Sequence, residues 1–302
     1  MLSACRRIVV DVYERSLARE ISNPPEHVAV IQDGNRRFAQ KQGEDPHVGH
    51  HAGADTTEEI LEWCRDIGVE ELTLYAFSTE NFNRPAHERE ELFDLIAGKL
   101  RDLAEADHTH QEELQIRAIG ELNRLPERVR EAISYAERRT QAYDQFRLNV
   151  ALAYGGRAEL LTAAQDVAQS VADGALAAAD IDPHEINRRL YDADVRDVDL
   201  IIRTGGDERT SNFLPWHANG NEAAVYFCTP YWPEFAKHDF LRAIRTYQYR
   251  EESWKRTRVQ RATALLRAFG ERELPRARAI MSAVRDGSET DEPIEATPEP
   301  TE

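Results

Sequence analysis

Six short apolar runs recur along the chain: 27–32 (HVAVIQ), 71–77 (ELTLYAF), 114–119 (LQIRAI), 147–153 (RLNVALA), 199–203 (DLIIR) and 223–228 (AAVYFC). Runs this short, rich in Val, Leu and Ile, predict strands buried on both faces. Between them, residues 53–68, 86–106, 126–142 and 158–174 carry apolar side chains at three- and four-residue spacings, the period of an amphipathic helix. Pro126 stands at a favourable first helical position. Gly68 and Gly174 follow helical stretches as stop signals. Strand alternating with helix predicts an α/β fold, a six-stranded, mostly parallel sheet flanked by helices. One domain is expected over residues 24–272. Residues 1–23 read as an N-terminal helical extension whose Ile8, Val9, Val12, Tyr13, Leu17 and Ile21 share one face, as in a docking helix. Residues 273–302 read as a helical end and an acidic tail, "RDGSETDEPIEATPEPTE", too poor in apolar residues to fold.

Composition narrows the classes. Among 302 residues, 41% hydrophobic, no run approaches the roughly 20 apolar residues that span a bilayer. The first residues lack the apolar region and cleavage site of a secretory signal. The three cysteines, Cys5, Cys64 and Cys228, form no CxxC and suit a reducing cytoplasm. A net charge of −17 argues against a nucleic-acid binder. Lys41, Lys99, Lys237 and Lys255 are the only lysines, and arginine supplies the other basic groups. Such an acidic, lysine-poor surface is expected in a salt-rich cytoplasm, where repulsion is screened. An acidic mesophilic protein is the alternative. A membrane-surface contact through residues 1–23 has only Arg6 and Arg7 behind it.

Candidate chemistry gathers at strand ends. "HVAVIQDGNRRFAQKQG" (27–43) turns from a strand into Asp33, Gly34, Asn35, Arg36 and Arg37. Gly34 permits close backbone approach, and the arginines are planar donors suited to phosphate oxygens. One carboxylate among phosphates suits magnesium, a hard ion content with one or two carboxylates. A surface turn with solvated arginines is the competing reading. "YAFSTENFNRP" (75–85) ends a second strand on Ser78, Glu80, Asn81, Asn83 and Arg84, and a plain polar loop would look the same. "DLIIRTGGDERTSNFLPW" (199–216) ends a third on Arg203, then Thr204, Gly205 and Gly206, then Arg209 and Ser211, an anion cradle of glycines, arginines and hydroxyls without P-loop spacing. "AYGGR" (153–157) is a fourth, weaker case. His47, His50 and His51 lack the partners of a zinc site and read as solvated or phosphate-facing. The residues alone therefore point to a magnesium-assisted enzyme acting on phosphate esters.

These segments, with "GHHAG" (49–53) and in this order, closely resemble the cis-prenyltransferases, the undecaprenyl diphosphate synthase family and its dehydrodolichyl relatives, over roughly residues 26–245. The resemblance implies a sheet with a long hydrophobic tunnel, usually in a homodimer. It implies repeated cis addition of isopentenyl diphosphate to an allylic diphosphate, geranylgeranyl or farnesyl, to make a glycosyl-carrier lipid precursor. By the same resemblance Asp33 and Asn81 are catalytic, and Asp33 binds magnesium as it assists departure of the diphosphate. Gly34, Asn35, Arg36, Arg37 and His50 line the allylic site. Ser78, Asn81, Phe82 and Arg84 belong to the loop closing over the substrates. Arg203, Arg209 and Ser211 take isopentenyl diphosphate, and Glu222 is the second metal ligand. A cytoplasmic location follows, with a peripheral membrane contact at product release left open.

Three departures stand out. Pro46, beside His47, occupies a position usually held by arginine, which implies either a weaker allylic diphosphate site or a shift of its charge to Arg36. Phe82 replaces a tryptophan and keeps an apolar face. Glu222 fits the spacing from Trp216, whereas the spacing to Tyr226 selects Ala224; Glu222 is preferred because only it binds metal, with a local bulge absorbing the difference. A non-catalytic partner subunit of the same fold is the rival function, and Asp33 argues against it.

Overall fold

All six apolar runs form strands in the computed structural model, which describes residues 2–190, 196–220 and 223–268 together with Pro275 and Arg278. They are β1 (His27–Ile31), β2 (Glu71–Ser78), β3 (Leu114–Ile119), β4 (Phe146–Tyr154), β5 (Leu200–Arg203) and β6 (Ala224–Phe227). The helices are α1 (Leu2–Glu20), α2 (Asn35–Gln42), α3 (Pro46–Ile67), α4 (Ala86–Glu105), α5 (Asp107–Gln111), α6 (Glu127–Thr140), α7 (Gly156–Ala172), α8 (Pro183–Leu190), α9 (Pro215–Gly220) and α10 (Lys237–Ala268). The strands form one sheet in the order β3-β4-β2-β1-β5-β6. Every neighbouring pair is parallel. The chain divides into two compact units, Met1–Tyr249 and Arg250–Glu302. The whole sheet and every site residue discussed below lie in the first.

The continuous apolar runs follow from burial of both sheet faces. Successive side chains of a strand point to opposite faces. Val28 and Val30 accordingly join one core cluster with Leu72, Leu74, Phe77 and Phe93, while Ala29 and Ile31 join the other with Ile201, Tyr154 and Phe213.

Most element limits agree with the sequence expectation to within two residues, and three differences have a physical reason. Helix α3 starts at Pro46 rather than residue 53, because its first turns are held by packing that apolar periodicity does not register. Pro126 caps α6 from just outside it, its extended ψ of 151° preceding the first helical residue, Glu127. Helix α1 docks only through its C-terminal part. Leu17 is buried, Gln248 Oε1 accepts the Ser22 and Asn23 N–H groups, and Gln248 Nε2 donates to the Glu20 carbonyl. Ile8, Val9 and Val12 on the same predicted face stay exposed. No described helix is long and apolar enough to cross a membrane. The expected tail after residue 273 lies outside the described residues, Pro275 and Arg278 apart.

Candidate active site

The order of the sheet decides where the chemistry can gather. The chain leaves β1 towards β2 on one side, and later crosses to β5 on the other. Ligands of open parallel sheets bind beyond the carboxyl ends of the strands where the order reverses in this way. Asp33 leaves β1 there, and Arg203 ends β5 beside it. Arg203 Nη2 donates to Asp33 Oδ2 at 2.8 Å, and Arg37 Nη2 pairs with Asp33 Oδ1 at 3.0 Å. Both carboxylate oxygens therefore face guanidinium groups.

Backbone geometry holds Asp33 in place. Thr204 Oγ1 accepts the Asp33 N–H at 3.0 Å and donates to the Asp33 carbonyl at 2.8 Å. The Trp232 N–H donates to that carbonyl at 3.0 Å. Gly34 adopts φ 106°, and a Cβ there would lie 2.6 Å from the Tyr231 ring, so glycine is needed for both conformation and space. The Arg37 guanidinium stacks over the same ring, 5.4 Å from its centre.

Arg203 is 4% exposed, and a buried charge must be paired. Besides Asp33, it reaches Asp207 Oδ2 at 3.2 Å and donates through Nη1 to Ser211 Oγ and the Arg209 carbonyl. Asp207 also accepts from Arg209 Nη2 at 3.0 Å, so one carboxylate orients both arginines. Arg209 itself points outward, 70% exposed. The loop beyond is strained, with Ser211, Asn212 and Leu214 all at positive φ. "YGGR" supports it. The Gly156 N–H donates to the Asn212 carbonyl, the Arg157 N–H donates to Asn212 Oδ1, and a Cβ on Gly156 would meet Pro215 at 2.2 Å.

Across the site, Ser78 and Asn81 form a reciprocal cap on the 3-10 turn Thr79–Asn83, with Asn81 Oδ1 accepting the Ser78 N–H at 2.9 Å. Phe82 packs edge-on against Phe77 and lies under the Arg124 guanidinium. Arg84 Nη1 donates to His50 Nε2 at 3.1 Å. Burial, with Arg84, Arg36 and His51 nearby, pushes the His50 pKa down to about 3, so this imidazole is neutral at physiological pH. Arg36 Nε pairs with the buried Glu88 carboxylate at 3.0 Å. Its charge is thus partly offset, which qualifies Arg36 as a replacement for the arginine missing at Pro46.

"GHHAG" is explained by the contact of α3 with Asn35 at the start of α2. A Cβ on Gly49 would lie 2.0 Å from the Asn35 carbonyl oxygen, and one on Gly53 would lie 2.3 Å from Asn35 Oδ1. That Oδ1 is buried and has no hydrogen-bond partner among the described residues. From Asn35 and His50 an apolar cavity of about 140 Å³ extends between α3 and α4 over β2 and β4, lined by Leu61, Leu74, Leu92, Leu100 and Val150 among others.

The fold therefore brings Asp33, Gly34, Arg37, Arg203, Arg209 and Ser211 into one bonded cluster, and His50 and Arg84 into one adjacent pair. Glu222 lies outside the described residues, as does the bulge expected around it. No three His, Cys, Asp or Glu among the described residues are grouped to hold a metal. Sequence reasoning missed Glu88, Asp207 and Tyr231. Asp207 could have been found, with Glu208, as one of two acids between the arginines in "RTGGDERTS". The other two carry no local signal.

The chain is similar to known proteins along most of its length. The family model described as "Putative undecaprenyl diphosphate synthase" matches residues 31–255. A Halobacterium salinarum protein named tritrans,polycis-undecaprenyl-diphosphate synthase (geranylgeranyl-diphosphate specific) is 65% identical over 270 residues, 89% of each chain. A Haloarcula marismortui protein of the same name is 60% identical over 286 residues, covering 95% of this chain and 94% of the other. Lavandulyl diphosphate synthase of Lavandula x intermedia, solved with dimethylallyl diphosphate, superimposes with a TM-score of 0.68 at 33% identity, over 74% of this chain and 95% of that one. The "probable undecaprenyl diphosphate synthase" of Campylobacter jejuni gives 0.60 at 32%, over 75% and 96%. With its parallel sheet and its arginine-ringed aspartate at the switch point, the chain belongs to the undecaprenyl diphosphate synthase family and is a prenyltransferase that elongates an allylic diphosphate with cis geometry.

Proposed function

We propose that the protein uses geranylgeranyl diphosphate as its primer and adds isopentenyl diphosphate repeatedly at the Asp33–Arg203 centre, making a glycosyl-carrier lipid precursor. The observation that carries this reading is the pairing of Asp33 with two arginines whose planar donors suit diphosphate oxygens. The relatives' geranylgeranyl specificity supports the primer. An incoming diphosphate competes for Arg37 and Arg203 and releases a carboxylate oxygen of Asp33. Arg36, Arg37, Arg84 and neutral His50 receive the allylic diphosphate, with Gly34 and Asn35 exposing backbone to it. Arg203, Arg209 and Ser211 receive the isopentenyl diphosphate, with Asp207 as their positioning residue. Ser78, Asn81 and Phe82 form the cover, and Asn81 acts at the reacting end.

The donor set fits magnesium. Asp33 offers hard oxygens, Glu222 would add a second carboxylate, and a diphosphate supplies the rest of the shell. When bound, the ion stabilises negative charge on the departing diphosphate. The buried Arg203 and the more exposed arginines around it do the same from the protein side. The apolar cavity is the start of the tunnel that takes the growing chain and keeps water from the cationic carbon. The catalytic domain is assigned to residues 24–272, with 1–23 as an extension. It works as a cytoplasmic homodimer, and releases product at a membrane surface.

Labelled isopentenyl diphosphate, with geranylgeranyl or farnesyl diphosphate and magnesium, tests this directly. Asp33→Ala is expected to abolish elongation; Asp207 still pairs with the buried Arg203, so the fold should persist with a lowered melting temperature. Arg209→Ala should raise the isopentenyl diphosphate KM about tenfold or more, since a charge-assisted hydrogen bond contributes about 1.5–3 kcal/mol, and should leave the primer KM alone. Full product formation by Asp33→Ala would overturn the assignment.

A further inference from the structure

Lys99 on α4 occupies an unusual place. It lines the apolar cavity, and with Leu95 it also lines a separate groove of about 510 Å³ formed with His47, His51, Glu91 and Asp102. The partition between the two spaces is therefore one side chain thick at Lys99 and Leu95. Lys99 and Glu58 are the only charged side chains in the cavity lining at neutral pH, given that His50 is neutral. They bond to each other across the seam between α4 and α3: Lys99 Nζ lies 2.7 Å from Glu58 Oε1 and 3.6 Å from Asp55 Oδ1. The methylene stem of a lysine can cover apolar surface while its ammonium stays in water. Next to it, Gly98 would present a Cβ to nothing within 4 Å, so the seam is not packed shut there.

The free space inside the cavity is about 140 Å³, comparable to one that admits a single benzene ring, so a chain of several five-carbon units needs more room than it offers. A wall that gives way would supply that room as the chain grows. The α3–α4 seam is the wall closed by ionic groups that are 34%, 54% and 75% exposed. Exposed ion pairs hold weakly and re-form readily, which suits a closure that opens under load.

We propose that the Lys99–Glu58–Asp55 contact is a latch between α3 and α4 that limits product length, resisting the parting of these helices around the growing chain. This rests on the reading that the cavity receives that chain. The test is the product-length distribution from labelled isopentenyl diphosphate at fixed primer and magnesium, with melting curves as the check on folding. Lys99→Met keeps the stem and removes the charge, and Glu58→Gln removes it from the other side. Both should shift products to longer chains. The exchange Lys99→Glu with Glu58→Lys should restore the original distribution. An unchanged distribution, a shift to shorter chains, or an effect of Lys99→Met that Glu58→Gln does not share overturns the latch. Val150→Phe, on the cavity floor away from the seam, separates the two ideas. If it shortens products while the latch variants do nothing, only the latch fails. If it also leaves length unchanged, the chain does not occupy this cavity and the underlying reading fails.

Discussion

Arg203 and His50 show how burial sets chemistry one side chain at a time. Arg203 stays charged in a closed environment because Asp33 and Asp207 face it and Ser211 accepts from it. His50 goes the other way: burial and neighbouring arginines keep it neutral, with its folded pKa near 3 against an unfolded value of about 6.5. Between these values the unfolded chain binds more protons, so the contribution of His50 to stability is fully present above about pH 6.5 and is lost as pH falls towards 3. His27, lowered by burial as well, has the same sign. Urea unfolding from neutral pH to about pH 4 should show a loss from His50 of up to about 1.4 kcal/mol per pH unit, with His27 acting in the same direction. In His50→Gln that loss should be shallower. An identical slope in the variant would remove His50 from the account.

The contact between α2 and α3 depends on two residues without side chains. Gly49 and Gly53 lie one turn apart on α3, and Asn35 fills the space their missing Cβ atoms leave. Trp232 closes the same contact by donating its indole N–H to the Gly53 carbonyl at 2.7 Å. Gly49→Ala would place a carbon against a backbone oxygen that cannot swing away. Overpacking of this kind costs about 1–3 kcal/mol. It should also displace Asn35, so chemical denaturation should show the loss and the primer KM should rise with it. A stable variant with unchanged KM would mean that α2 can shift without disturbing the site.

Charge acts on the molecule as a whole. With 55 acidic and 38 basic residues, like-charge repulsion opposes folding at low ionic strength. At 0.1 M salt, charges more than about 10 Å apart are already largely screened, and the screening length shortens further at molar salt. The melting temperature should therefore climb from low to molar potassium chloride, as expected for a relative of proteins from Halobacterium and Haloarcula. A flat or falling melting temperature would refute the halophilic reading of the composition.

Strands, helix classes and the residues of the segments proposed to bind phosphate were determined by the sequence alone. Burial on both faces makes a strand an uninterrupted apolar run, and its ends are marked where polar residues resume, so the six strands lie within a residue or two of their predicted limits. The arginines and Asp33 were legible because phosphate chemistry demands those groups beside glycines at strand ends. Helix α3 was legible only from residue 53, since its earlier turns carry histidines and glycines chosen for close contact rather than for an apolar stripe. Pairings belonged to the tertiary structure. That Arg203 holds Asp33, that Glu88 neutralises Arg36 and that Tyr231 packs on Gly34 are contacts between residues far apart in the chain, 170 positions in the case of Arg203. The apolar cavity and its ionic seam arose in the same way, because no single segment encloses a space: α3, α4, β2 and β4 form its walls only once the sheet has set their places.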